Sequence, residues 1–278
     1  MEVIVAKTAG FCFGVKRAVE KVYANVDKEH VYTYGPIIHN EQVVADLEKH
    51  GVRVVEEDTD LTQLPEGTIV VRAHGAGRAE FDRLRECGMQ IEDATCPFVS
   101  KIYRIVEEES KAGRTVIIVG NAAHPEVKGI RGWSGEDTYV VGSIEEANNL
   151  NILAKNISIV SQTTFNLKKF KEIVEIFEKK GYDIKCLNTI CNATEVRQTE
   201  ARQIASQVDA MIVIGGKNSS NTQKLFEICK EECSNTYYIQ TAEDLDYTAI
   251  RGMQRIGITA GASTPKNIIE EVQTRCQI

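Results

Sequence analysis

The chain of 278 residues has no CxxC pair, no GxxxxGK[ST] loop, no low-complexity tract and no long linker rich in Pro, Gly or Ser. Without CxxC pairs, a zinc ribbon or a thioredoxin-like redox motif is excluded. Without the P-loop spacing, phosphate has no Walker-type cradle. The strand-like apolar runs, such as Val3–Ala6, Val116–Val119 and Met211–Ile214, are four residues long. A membrane span needs about 18 or more. The opening residues MEVIVAKTAG lack a basic stretch followed by a long apolar region, so no export signal is expected. Positive charge is also short: 33 Lys+Arg against 40 Asp+Glu leave a net charge of −7. That argues against a nucleic-acid surface covering the molecule, although a local basic pocket remains open. What is present is ordinary for a globular chain, with 42% hydrophobic and 26% charged residues. The length suggests more than one domain and a core that needs no staples.

Eight cysteines stand at 12, 87, 96, 186, 191, 229, 233 and 276. In a chain this long without an export signal, a disulfide framework is not expected, and a reducing, cytoplasmic setting is. Clustered cysteines there point to metal binding or catalysis, and the cluster has to be assembled from distant segments. Three cysteines precede amphipathic helices, in GFCFGVKRAVEKV, ATCPFVSKIYRIVEEE and TICNATEVRQTEARQI. Val31, Thr115 and Ala210 each open a β-branched strand 19 residues after Cys12, Cys96 and Cys191. Each strand ends at a glycine (Gly35, Gly120, Gly215), and a polar residue follows (His39, His124, Ser219). A second strand in each segment leads to another polar loop, holding His74, Thr163 or Ser263.

Strands are expected at Val31–Tyr34, Ile69–Arg72, Thr115–Val119, Ile157–Ser161, Ala210–Ile214 and Arg255–Thr259. Helices are expected at Val15–Val26, Val43–His50, Val99–Ala112, Leu167–Lys180, Glu195–Val208, Thr222–Cys233 and Pro265–Arg275. The alternation predicts an α/β fold with mostly parallel sheets. The offsets predict three repeated α/β units. We place an N-terminal segment carrying the first cysteine at 1–13, then units at 14–96, 97–191 and 192–278, the last ending in a C-terminal helix. Ligands of open parallel sheets sit at the carboxyl ends of the strands, where the six polar loops fall.

Thiolates at helix N-termini are favoured by the helix dipole, and three together need a cation. Zinc with a fourth ligand or water is one option. An iron–sulfur cluster is another, and three cysteines on a 4Fe–4S cube leave one iron without a protein ligand. Cys12, Cys96 and Cys191 are the candidate ligands. Cys87, Cys186 and Cys276 read as buried apolar residues, as do Cys229 and Cys233 despite their i, i+4 spacing. His39, His74 and His124 fall at strand ends, whereas His30 and His50 read as surface positions. Ser219, Ser220 and Asn221 stand just before a helix, with Ser263 on the matching loop, and such donors suit a diphosphate. Glu126 follows His124 across Pro125, which stiffens a loop that aims a carboxyl group for proton delivery. Thr163 and Thr164 in SQTTFN are placed to relay a proton or bond a substrate hydroxyl.

In order and spacing, the segments GFCFGV, GPIIHN, AHG, DATCP, HPEVKG, QTT, TIC, GKNSSN and TAGAS resemble the IspH/LytB family of 4-hydroxy-3-methylbut-2-enyl diphosphate reductases across essentially the whole chain. The resemblance implies three pseudo-symmetric α/β domains in a trefoil around a central 4Fe–4S cluster held by Cys12, Cys96 and Cys191. It implies that His39, His74, His124, Ser219, Ser220, Asn221 and Ser263 bind the diphosphate or line its pocket. Glu126 is then the proton source and Thr163 orients the substrate hydroxyl. The implied reaction is a two-electron, two-proton reductive dehydroxylation in the methylerythritol phosphate route, yielding isopentenyl and dimethylallyl diphosphate, with ferredoxin or flavodoxin as electron donor. The rival readings are a non-redox 4Fe–4S hydro-lyase or quinolinate-synthase-like enzyme, an iron–sulfur sensor or diphosphate-binding module, and a cysteine nucleophile served by a histidine base.

Overall fold

β-branched runs separated by amphipathic stretches build the same sheet three times. A computed structural model describes residues 1–277. The chain opens with β1 (Glu2–Val5) and α1 (Phe13–Tyr23). The first segment continues through β2 (Val31–Tyr34), α2 (Glu41–Lys49), β3 (Arg53–Val55), β4 (Thr68–Val71), α3 (Arg78–Glu86) and β5 (Gln90–Asp93). The second runs α4 (Pro97–Lys111), β6 (Thr115–Val119), α5 (Pro125–Trp133), β7 (Thr138–Val141), α6 (Ile144–Asn149), β8 (Asn156–Ser161), α7 (Leu167–Lys179) and β9 (Asp183–Cys186). The third runs α8 (Asn192–Ala205), β10 (Ala210–Ile214), α9 (Ser220–Glu232), β11 (Thr236–Ile239), β12 (Arg255–Ala260) and α10 (Lys266–Cys276).

The strand orders are β3-β2-β4-β5, β7-β6-β8-β9 and β11-β10-β12-β1. Every pairing is parallel. In the third sheet the place of β5 and β9 is taken by β1, which pairs β12 from Glu2↔Arg255 to Val5↔Ile258. No local signal announces that pairing, because the partners are separated by most of the chain.

The central strands β4, β6 and β10 are buried at every position, as expected where helices cover both faces of a parallel sheet. Edge strands are different. β3 (RVV), β5 (QIED) and β9 (DIKC) are partly exposed and carry charge. The charges protect an open edge from pairing and also conceal the strands from a reading based on apolar runs. Together with β7 and β11 they were not anticipated, nor were α3, α5 and α6. The six expected strands and seven expected helices all form, with ends moved by up to three residues.

The described chain forms two compact units. One contains Met1–Lys16, Ile38–Ala45 and the segment from Asn192 onward; the other contains Arg17–Ile37 and Asp46–Cys191. The first holds the β11-β10-β12-β1 sheet and the second holds the other two. Among the described residues no helix is long and apolar enough to cross a membrane.

In each sheet the chain leaves a central strand for one edge and returns beside its starting point; in the first two sheets it then moves to the other edge, which β1 fills in the third. The paired central strands β2/β4, β6/β8 and β10/β12 are therefore topological switch points, the place where open α/β sheets bind ligands. Loops leaving these six strands carry His39, His74, His124, Thr163, Ser219 and Ser263.

Candidate active site

The three cysteines share one local geometry. Cys96 caps α4 from an extended conformation, with Pro97 at the first helical position. Cys12 and Cys191 directly precede α1 and α8. The backbone N–H of Cys12 donates to Ala262 O (3.2 Å), that of Cys96 to Ala73 O (3.0 Å) and that of Cys191 to Thr163 O (3.0 Å). Each acceptor lies on a switch-point loop, and two of them immediately precede Ser263 and His74. A strand-end loop therefore fixes both a cysteine and a polar candidate. All three thiols are unpaired by disulfide and partly exposed.

Of the other cysteines, Cys229, Cys233 and Cys276 are buried, as expected. Cys186 is exposed and Cys87 only partly covered. The expectation of burial fails at Cys186 because it ends β9, an edge strand whose pattern faces solvent.

In the unit containing the first two sheets, His74, His124, Glu126 and Thr163 come together. His124 is the N-cap of α5 (φ −72°, ψ 136°), and its Nδ1 accepts the Glu126 N–H at 3.1 Å. That leaves Nε2 as the ring's donor. The His74 and His124 rings meet edge to face, with centroids 5.2 Å apart. The sequence reading placed Glu126 in a stiff loop; it lies in the first turn of a helix, with Pro125 at the first position. Pro125 fits there because that N–H has no intrahelical partner.

Glu126 is 2% exposed. Its Oε1 accepts the Thr163 N–H at 2.6 Å and its Oε2 accepts the Thr163 hydroxyl at 2.8 Å. Burial pushes the carboxyl pKa up to about 7, against the opposing pull of the two Thr163 donors. A carboxyl group poised near neutrality in the first turn of a helix that follows a switch-point strand is suited to acid–base work. Thr164, next in sequence, is half-buried and its Oγ1 accepts from Gln162 Nε2 at 3.2 Å.

Several supporting residues escaped the sequence reading. Gln162 is 1% exposed, and its Oε1 accepts the Asn121 N–H at 3.2 Å, joining the β6 and β8 loops. The His74 loop is held at three points: Arg72 Nε donates to Gly75 O at 3.3 Å, Tyr103 Oη to His74 O at 3.2 Å and Trp133 Nε1 to Ala76 O at 3.0 Å. Tyr103 and Trp133 stack with centroids 5.5 Å apart. Gly75 has φ +75°, and a Cβ there would lie 2.1 Å from Tyr103 Oη. Only glycine permits this turn beside His74. The signal available in the sequence was the glycine after AH; the aromatic support comes from α4 and α5, far along the chain.

The other unit gathers His39, Ser219, Asn221 and Ser263. Ser219 is the N-cap of α9 and accepts the Thr222 N–H at 3.3 Å. Ser220 and Asn221 are the helix's first two residues. The Asn221 Oδ1 accepts the Ala262 N–H at 3.0 Å, which assigns its amide N–H₂ as a donor. Ser263 Oγ donates to His39 O at 3.2 Å and lies 3.5 Å from Ser219 Oγ. Ser219, Asn221 and Ser263 are buried and Ser220 is half-buried. A helix N-terminus lined by hydroxyl and amide donors is a ready anion site. His30 and His50 are exposed.

The LytB protein family model matches residues 3–277. A 4-hydroxy-3-methylbut-2-enyl diphosphate reductase of Caldanaerobacter subterraneus subsp. tengcongensis is 48% identical over 276 residues, covering 98% of this chain and 95% of its own length. The enzyme of the same name from Geobacter sulfurreducens is 47% identical over 278 residues, covering 100% of this chain and 97% of its own. Among solved structures, the E-1-hydroxy-2-methyl-but-2-enyl-4-diphosphate reductase from Plasmodium falciparum superposes with a TM-score of 0.93 at 29% identity, over 99% of this chain and 87% of that one. A second solved structure, of (E)-4-hydroxy-3-methyl-but-2-enyl diphosphate reductase, the terminal enzyme of the non-mevalonate pathway, gives 0.69 at 42% identity over 100% and 99%.

Proposed function

The chain belongs to the LytB protein family, and from that premise we propose how its residues carry out reduction of 4-hydroxy-3-methylbut-2-enyl diphosphate. The activity is that of an oxidoreductase in the non-mevalonate route to isoprenoids. Substrate, two electrons and two protons give water and either isopentenyl or dimethylallyl diphosphate.

The cysteine set fits an iron–sulfur cluster. Cys12, Cys96 and Cys191 are partly accessible thiols outside any disulfide, each anchored by its own N–H to a switch-point loop. An all-sulfur donor set suits iron–sulfur chemistry. These three residues would hold a 4Fe–4S cluster in which one iron has no protein ligand. When bound, such a cluster supplies electrons and an electron-accepting iron site for the substrate oxygen.

The observation that carries the reading is Glu126. Its buried carboxyl, with a pKa near 7, is gripped by the backbone and hydroxyl of Thr163. The Thr163 carbonyl in turn receives the Cys191 N–H. One residue thus connects the proton source to a cluster ligand. Protonated Glu126 delivers a proton toward the departing oxygen, directly or through the Thr163 hydroxyl, and the hydroxyl group leaves as water. Thr164 borders the same loop. The His74 and His124 rings meet edge to face beside this loop, and His124 offers Nε2–H as a donor to the substrate.

His39, Ser219, Ser220, Asn221 and Ser263 bind the diphosphate. The α9 N-terminus, two serine hydroxyls and the Asn221 amide supply hydrogen bonds that an anion strengthens. Binding energy collected on the diphosphate orients an allylic carbon that is itself uncharged. The electron donor is of the ferredoxin or flavodoxin class and the setting is cytoplasmic.

The direct test replaces Glu126 by Gln. Diphosphate affinity and iron content are expected to stay near wild type, while kcat falls by at least about 100-fold, the usual scale of general acid catalysis. An unchanged kcat would remove Glu126 from the mechanism.

A further inference from the structure

Two arginines recur at related places behind the cysteines. Arg17 lies on α1, the helix that Cys12 precedes, and its Nη1 donates to Thr95 O at 3.0 Å. Thr95 is the residue before Cys96. Arg197 lies on α8, the helix that Cys191 precedes, and is 3% exposed. Its Nη1 donates to Ala260 O at 2.7 Å and its Nη2 to Gly10 O at 3.0 Å. Gly10 stands two residues before Cys12 and takes φ +100°, a turn that favours glycine. In both cases a guanidinium from the helix behind one cysteine grips the backbone leading into another. The Gly10 segment is held from a second side, since Glu200 on α8 accepts from the Lys7 N–H (2.8 Å), the Thr8 N–H (2.9 Å) and the Thr8 hydroxyl (2.6 Å).

The third helix breaks the pattern. On α4, Lys101 occupies the place after Cys96 that Arg17 occupies after Cys12, and it is exposed. Neutral side chains hold the approach to Cys191: Asn188 Oδ1 accepts the Ile190 N–H at 3.1 Å and the Thr189 hydroxyl donates to Ser161 O at 2.6 Å.

We infer that Arg17 and Arg197 are positioning residues for Cys96 and Cys12, and that their fixed positive charges raise the reduction potential of the cluster those cysteines hold. The inference rests on the ligand assignment above. An arginine cannot lose its charge in this setting. Its fork holds a carbonyl one or two residues before a cysteine, which keeps the charge close to that ligand in the chain. Reduction adds negative charge to the cluster, and a nearby cation in a partly buried site favours the reduced form. Hydrogen bonding and net charge around the sulfurs are the general means by which a protein tunes such groups.

The test uses the full chain purified without oxygen, as wild type and as R17M, R17K, R197M, R197K and K101M. Iron and sulfide are counted, and the midpoint potential is read from an EPR-monitored redox titration. R17M and R197M are expected to shift the one-electron equilibrium about tenfold toward the oxidised form, equivalent to about 59 mV. R17K and R197K keep the charge and are expected to stay near wild type; K101M is expected to leave the potential unmoved. Wild-type potentials in both loaded Met variants, or an equal shift in K101M, overturn the inference. Should a Met variant load no cluster, alkylation of the metal-free chains decides. Cys96 in R17M and Cys12 in R197M are expected to react faster than in wild type, with the Lys variants restoring the slow rate; equal rates overturn the positioning role. A wild-type chain that takes up no iron refutes the ligand assignment itself, whereas a loaded wild type with unmoved variants refutes only the role of the arginines.

Discussion

Replacing Thr163 by Val removes one of the two donors to Glu126 and leaves the other. The hydroxyl bond to Oε2 (2.8 Å) is lost, while the backbone N–H bond to Oε1 (2.6 Å) remains. Both bonds favour the ionised carboxylate against the burial that disfavours it. A hydrogen bond to a charged group is worth about 1.5–3 kcal/mol, and one pKa unit corresponds to about 1.36 kcal/mol. Losing the hydroxyl bond therefore moves the Glu126 pKa up by about one to two units, from about 7 toward 8–9. In the proposed role Glu126 acts in its protonated form, so kcat/KM is expected to fall as pH rises through its pKa in the free enzyme. The alkaline limb of the pH profile is expected to move upward by that amount in T163V and to stay in place in T163S. Peak activity is also expected to drop in T163V, because the proposed contact of the hydroxyl with the substrate oxygen is removed. An alkaline limb that stays put, or moves to lower pH, refutes the electrostatic account of this pair.

The same carboxyl sets a stability trend of known sign. Its folded pKa of about 7 exceeds the ordinary carboxyl value of 4.5, so the folded chain binds the extra proton between those values. The contribution is fully present below pH 4.5 and is lost as pH rises through about 7, a total of about 3 kcal/mol. Urea unfolding across this range should show that decline in wild type and a flatter profile in E126Q; equal slopes would contradict it. Gly75→Ala forces an L side chain to φ +75° and places Cβ 2.1 Å from Tyr103 Oη. A loss of about 2–3 kcal/mol is expected from strain and displacement of the Tyr103–Trp133 stack, read as a drop in Tm; an unchanged Tm would show that the loop relaxes freely. Serine at Cys12, Cys96 or Cys191 is expected to abolish iron retention, while C186S, at an exposed strand end, keeps it. Iron counts after anaerobic purification separate the two groups.

The repeat was legible because identical 19-residue offsets join Cys12, Cys96 and Cys191 to their central strands, and central strands are the most apolar part of a covered parallel sheet. Edge strands were hidden for the opposite physical reason: QIED and DIKC place charge where solvent meets the edge. α5 was hidden by its own sequence, PEVKGIRGW, whose proline and two glycines read as a loop. The proline is tolerated at the helix start, and Gly129 and Gly132 allow close approach to Tyr103 and Gly77. Candidate residues on the six switch-point loops were found from local motifs alone. Their supports were not, because Arg72, Tyr103, Trp133, Gln162 and Arg197 act through contacts that depend on the assembled fold. Glu126 stood out as a candidate, but its two hydrogen bonds with Thr163 and its burial, which together set its protonation, appear only once β6 and β8 lie side by side.

The most direct test of the central claim is Mössbauer spectroscopy, with iron and sulfide analysis, on the anaerobically purified full chain. Three protein thiolates on a four-iron cube predict about four irons and four sulfides per chain, with one iron spectroscopically distinct from the other three and perturbed by substrate. Bound zinc, absent iron, or four equivalent iron sites indifferent to substrate would contradict it.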